Sequence, residues 1–99
     1  MSEAKWSRTV VVINPQGLHA RPADLIVKAA SRFQSNVEIV KGQDRVDAKS
    51  ILAIFTLAAL PGVELVVEAT GPDAADAVEA ICELFEDGFG ELEDQSKNT

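Results

Sequence analysis

Thr9 to Ile13 is a β-branched run that Asn14, Pro15, Gln16 and Gly17 stop, which predicts a strand entering a loop. Past that loop Ala23, Ile26, Ala30 and Phe33 recur at spacings of three and four, so a helix with one apolar face is expected from about His19 to Phe33. Val37 and Ile39 alternate with Asn36 and Glu38, Gly42 marks a turn, and Arg45 to Ala48 return as a short strand, the pattern of a hairpin. Ser50 then opens an apolar segment, Ile51 to Leu60, that Pro61 and Gly62 close. A short helix capped by the serine hydroxyl fits this segment, and so does a buried strand. Val63, Leu65, Val67 and Ala69 share one face of a further strand, with Glu64 and Glu68 on the other. Gly71, Pro72 and Asp73 introduce Ala74, Val78, Ile81, Cys82 and Phe85 at helical spacing, in a helix expected to end near Gly88.

Strands that are apolar on one face require cover on that face alone. The order β-α-β-β-α-β-α therefore predicts an α+β open-faced sandwich, a four-stranded antiparallel sheet with three helices on one face. Ninety-nine residues hold one domain, 1–99, with a core at about 8–90. The stretch 91–99 has Leu92 as its only large apolar residue and is expected to be a flexible acidic tail.

Composition narrows the function classes. With 46% hydrophobic and 25% charged residues the chain is not of the disordered or fibrous kind. A net charge of -7, with no dense cluster of Lys and Arg, argues against a nucleic-acid partner. The apolar run Ile51 to Pro61 is far short of the ~20 residues that cross a bilayer, so no membrane insertion is expected. Met1 to Arg8 lacks the apolar core of a signal peptide, which points to a cytoplasmic protein. Cys82, the single cysteine, lies in an apolar stripe and reads as a buried small hydrophobe rather than a reactive thiol. One histidine and one cysteine on different elements make no metal site, and no Gly-rich nucleotide loop is present, so no cofactor is expected.

His19 is the only histidine, and it stands at a helix start, just before Ala20, Arg21 and Pro22. Pro22 suits a first turn, where the amide it lacks would have no intrahelical partner, and the remaining first-turn amides form an anion site beside His19. The positive helix end disfavours an imidazolium, which favours a neutral ring whose nitrogen can attack phosphorus. Arg21 is placed to hold phosphoryl oxygens. From spacing alone, a lone histidine at a helix start is more often a cap or a solvated side chain.

The run Gly17-Leu18-His19-Ala20-Arg21-Pro22-Ala23 resembles the active-site signature of the HPr family, the phosphocarriers of the bacterial phosphotransferase system. Ala48-Lys49-Ser50-Ile51-Leu52 stands where that family carries its regulatory serine, and the resemblance covers roughly residues 8–90. It implies that His19 accepts a phosphoryl group at its pros nitrogen, Nδ1, from phosphorylated enzyme I and passes it to EIIA components of sugar permeases. Arg21 supports the group. Such a protein is a stoichiometric acceptor and donor, not an enzyme, and is expected to be a monomer. Ser50 is implied as the site of an HPr kinase/phosphorylase, with a transcription regulator as a further partner. The family's shallow apolar docking patch maps onto Ala20, Ile51, Leu52 and Phe55, some of which could equally be core. Asp24, the Gly42-Gln43 turn and the longer acidic tail depart from the usual pattern. Two alternatives share the same residues: a mainly regulatory module controlled through Ser50, and a carrier in a nitrogen-related phosphorelay.

Overall fold

A computed structural model describes residues 4–91. The elements are β1 (Lys5–Val11), α1 (Ala20–Ala30), β2 (Asn36–Lys41), β3 (Asp44–Asp47), α2 (Ile51–Thr56), β4 (Glu64–Thr70) and α3 (Ala74–Glu86), followed by a 3-10 turn at Gly88–Gly90. All four strands form one antiparallel sheet in the order β1-β4-β2-β3. Strand β4 is central: its Val67 pairs with Arg8 of β1 on one side and with Ile39 of β2 on the other.

The period-two pattern of the strands now has its cause. Val37 and Ile39, with Leu65, Val67 and Ala69, are buried on the side covered by the helices. Helix α1 sends Ala23, Ile26 and Ala30 into the same core, and α3 sends Ala77, Ile81, Cys82 and Phe85. Burial pushes the Cys82 thiol up from its ordinary pKa, as suits an inert core residue. The open face of the sheet is charged instead. Arg45 Nη1 donates to Glu38 Oε1 at 2.7 Å and to Glu68 Oε1 at 2.6 Å, and the bond to Arg45 holds the Glu68 carboxyl below the usual range.

The apolar segment after Ser50 is a helix, which resolves the choice that periodicity leaves open. Ser50 Oγ accepts the Ala53 amide at 3.2 Å, and Lys41 Nζ donates to the Leu57 carbonyl at 2.9 Å, so side chains serve both ends of a six-residue helix. Between β2 and β3, Gly42 takes a φ of 60°, the conformation a two-residue hairpin loop needs at a Gly-first position, so Gly42-Gln43 replaces an Asn-Gly turn without loss of register.

Two boundaries differ from the sequence expectation. Strand β1 starts at Lys5, ahead of Thr9, because an edge strand can pair along β4 with mostly exposed side chains and so shows little alternation. Helix α1 stops at Ala30, ahead of Phe33, as the amides of Arg32 and Phe33 turn to the carbonyls of Ala29 and Ala30. Asp73, at the start of α3, does not cap its own helix. Its carboxylate accepts from the Gln34 amide at 2.9 Å, the Ser35 amide at 2.9 Å and the Ser35 hydroxyl at 2.5 Å, tying α3 to the loop before β2. The Ser35 hydroxyl leads these bonds in holding the Asp73 carboxyl below its ordinary pKa.

Candidate functional site

The loop between β1 and α1 is held from beneath. Gly17 has a φ of 68°, and a Cβ there would collide with the carbonyl oxygen of Ala59. Leu18 donates its amide to that carbonyl at 3.0 Å, and the His19 amide turns back to Gly17 O at 3.0 Å. The buried Asn14 side chain closes the loop from within, Nδ2 donating to Gly17 O at 2.6 Å. A β-turn residue type, a glycine with positive φ and a buried amide thus deliver His19 to the start of α1 in one conformation.

His19 occupies the N-cap position of α1 with extended backbone, φ -83° and ψ -164°, but its side chain makes no capping bond. Its carbonyl accepts the Ala23 amide at 3.1 Å, and its ring stays 34% exposed, accessible to a reacting group. The ring nitrogen Nε2 lies 2.5 Å from Glu91 Oε2, while Glu91 Oε1 accepts from Asn14 Nδ2 at 2.9 Å. Arg21 is exposed on the first turn of α1, and Pro22 is buried behind it.

Helices α1 and α2 pack together, which brings most of the sequence-derived residues to one region. Ala20 is exposed, Leu52 is 73% exposed and Phe55 is 41% exposed. Ile51 is half-buried and packs against the core. Leu60, 64% exposed and next to the Ala59 that supports Gly17, was not anticipated. Ser50 sits at the N-cap of α2 with its hydroxyl on the Ala53 amide. Among the described residues no group of His, Cys, Asp and Glu is arranged to hold a metal ion, and no helix is long and apolar enough to cross a membrane.

Sequence reasoning missed two members of this site. By sequence Asn14 reads only as a strand terminator, and Glu91 as the first residue of the flexible acidic tail. That assignment is corrected for Glu91, which is bound to His19 and Asn14; residues 92–99 lie outside the described residues. The available signal was Phe89, a large apolar residue between two glycines past the end of α3. It is buried with its ring centroid 4.9 Å from that of Phe85, and it anchors the chain just ahead of Glu91.

Fold and site together define a class of small open-faced sandwiches that present a partly exposed histidine at the start of the first helix. Residues 6–87 match the family described as the PTS HPr component phosphorylation site. The phosphocarrier protein HPr of Treponema pallidum is 49% identical over 84 residues, covering 85% of this chain and 96% of that protein. A crystal structure of HPr from Thermoanaerobacter tengcongensis superposes with a TM-score of 0.84 at 40% identity, over 87% of this chain and 97% of that one. The phosphocarrier protein HPr from Bacillus anthracis gives a TM-score of 0.78 at 38% identity, over 83% and 98%. The chain belongs to the HPr family of phosphocarrier proteins of the phosphotransferase system.

Proposed function

We propose that His19 is the residue that carries the phosphoryl group, accepting it at Nδ1 from phosphorylated enzyme I and handing it to EIIA components of sugar permeases. The observation that carries this reading is the placement of His19: an N-cap residue whose ring is one-third exposed and is not spent on capping its helix. In the transfer, the Nδ1 lone pair attacks phosphorus, a P–N bond forms, and the bond from phosphorus to the donor breaks with its electron pair returning to the donor. Arg21 is exposed on the first turn of α1, two residues after His19, which supports assigning its guanidinium, with the leading amides of α1, to hold the phosphoryl oxygens. The protein is then a stoichiometric acceptor and donor, used up and regenerated at each cycle.

Exposed Ala20, Leu52 and Phe55 support a docking patch beside His19, with half-buried Ile51 at its base. Ser50, at the N-cap of α2 next to that patch, is the proposed input for an HPr kinase/phosphorylase. A regulatory module or a nitrogen-related relay would use the same side chains and differ in the donor that charges them.

Incubation with enzyme I and phosphoenolpyruvate is expected to place one acid-labile, base-stable phosphate on the wild-type protein and none on His19→Ala. Persistent labelling of His19→Ala would overturn the assignment.

A further inference from the structure

We infer that Glu91 is a positioning residue for phosphoryl transfer: its carboxylate keeps the His19 proton on Nε2, leaves Nδ1 as the nucleophile, and pairs with the positive ring that phosphorylation creates. The inference rests on His19 being the acceptor. It does not rest on the family match, which ends at residue 87, short of Glu91.

A histidine ring nitrogen facing a carboxylate oxygen at 2.5 Å requires a hydrogen between them, and an ionised carboxylate brings none. The proton therefore sits on Nε2, and the other nitrogen of a neutral ring, Nδ1, holds its lone pair in the ring plane. An orienting carboxylate of this kind performs the same service for the histidine of hydrolase triads.

Three features separate this contact from a chance surface pair. The Glu91 side chain is only 18% exposed. Its second oxygen is fixed by the Nδ2 of Asn14, a fully buried side chain that also holds the Gly17 carbonyl of the histidine loop. Its backbone follows Phe89, which is packed against Phe85 in the core. Loop, histidine and carboxylate thus form one hydrogen-bonded unit, although His19 and Glu91 are 72 positions apart.

The charge balance gives the carboxylate a second effect. When Nδ1 bonds to phosphorus and Nε2 keeps its proton, the ring carries a positive charge that the neutral ring lacked. A carboxylate already in place stabilises that state relative to the unphosphorylated one, with no rearrangement needed.

A small chemical donor, potassium phosphoramidate, tests this without any partner protein. The ring nitrogen attacks phosphorus, the bond to the amide nitrogen breaks, and ammonia leaves. Alkaline digestion followed by chromatography then separates the two phosphohistidine isomers. Wild type is expected to give the Nδ1 isomer alone. Glu91→Ala should raise the Nε2 isomer at least about fivefold over background, since both nitrogens then compete, as exposed rings do. Glu91→Gln, whose amide oxygen still accepts from Nε2, should keep the Nδ1 product but shift the transfer equilibrium away from His19 by about tenfold, the worth of a charge-assisted bond. Thermal unfolding of each variant confirms that it is folded before labelling. A Glu91→Ala protein that gives the Nδ1 isomer alone, or a wild type that gives the Nε2 isomer, would overturn the role of Glu91. Label on His19→Ala would overturn instead the reading of His19 on which it rests.

Discussion

The carbonyl of Ala59 leaves no room for a side chain at Gly17 and accepts the amide of the next residue, Leu18, at 3.0 Å. The loop that carries His19 is therefore docked on the chain leaving α2, by a contact only a glycine allows. Gly17→Ala adds both a steric collision and a strained φ, and is expected to cost about 2–3 kcal/mol. For a domain of this size that lowers the melting temperature by roughly 10–20 °C. Because the His19 amide bonds to Gly17 O, phosphorylation should slow as well. An unchanged melting curve would show that Ala59 can move away.

At Ser50 the cap and the proposed regulatory site coincide. Removing the hydroxyl in Ser50→Ala is expected to cost about 1 kcal/mol, while Ser50→Asp, an equally good N-cap, should leave stability within about 0.5 kcal/mol of wild type. The aspartate adds charge beside Leu52 in the proposed docking patch, so acceptance of phosphate from enzyme I should slow several-fold. Urea unfolding and initial labelling rates read the two effects separately. Wild-type labelling by Ser50→Asp would reduce Ser50 to a cap.

Neighbouring positions in α2 should part company in the same two assays. Leu52 is 73% exposed, so Leu52→Glu is expected to leave stability nearly unchanged and weaken enzyme I binding by about tenfold or more. Ile54 is fully buried, and Ile54→Ala should lose about 2–4 kcal/mol. Equal binding by Leu52→Glu and wild type, measured by calorimetry, would remove Leu52 from the docking patch.

Asp73 makes the stability of the fold sensitive to acid. Its carboxyl titrates below the ordinary aspartate range in the folded protein, chiefly through the Ser35 hydroxyl. The unfolded chain therefore takes up the proton first as pH falls. The stabilisation is complete above the ordinary aspartate value and is lost as pH drops through the lower folded value. Asp73→Asn should be less stable than wild type at pH 7, and the difference should shrink towards pH 2 in urea titrations. A gap that stays constant with pH would assign the effect to packing alone.

Strands β2 and β4 and the two longer helices were legible in the sequence because each buries one face only. Val37 and Ile39 alternate with polar neighbours, and Ile26 and Ala30 recur at helical spacing, so the period reports the burial directly. The stretch Ile51 to Leu60 gave no such report. Its apolar side chains are divided between core and surface, Ile54 and Leu57 inside and Leu52, Phe55 and Leu60 outside, so helix and strand fit it equally and its exposed members could not be picked out. The motifs behind the roles proposed for His19, Arg21 and Ser50 were legible locally, since each lies within a few residues. The contact of Glu91 with His19 was not, because it depends on α3 and the buried Phe89 returning the chain to the first loop, and a contact between ends leaves no local pattern.

The central place of β4 also sets an order of events as the chain folds. Only the β2–β3 hairpin joins neighbours in sequence; β1 has β4 as its strand partner, and β4 spans Glu64–Thr70. A nascent chain that has not yet exposed those residues holds one hairpin, which is marginal by itself in water. Bringing β1 to β4 closes a loop of most of the domain, and that entropic cost falls before the reward of pairing. The sheet, and with it the seat of His19, should therefore form late and all at once, only after the segment containing β4 has left the ribosome.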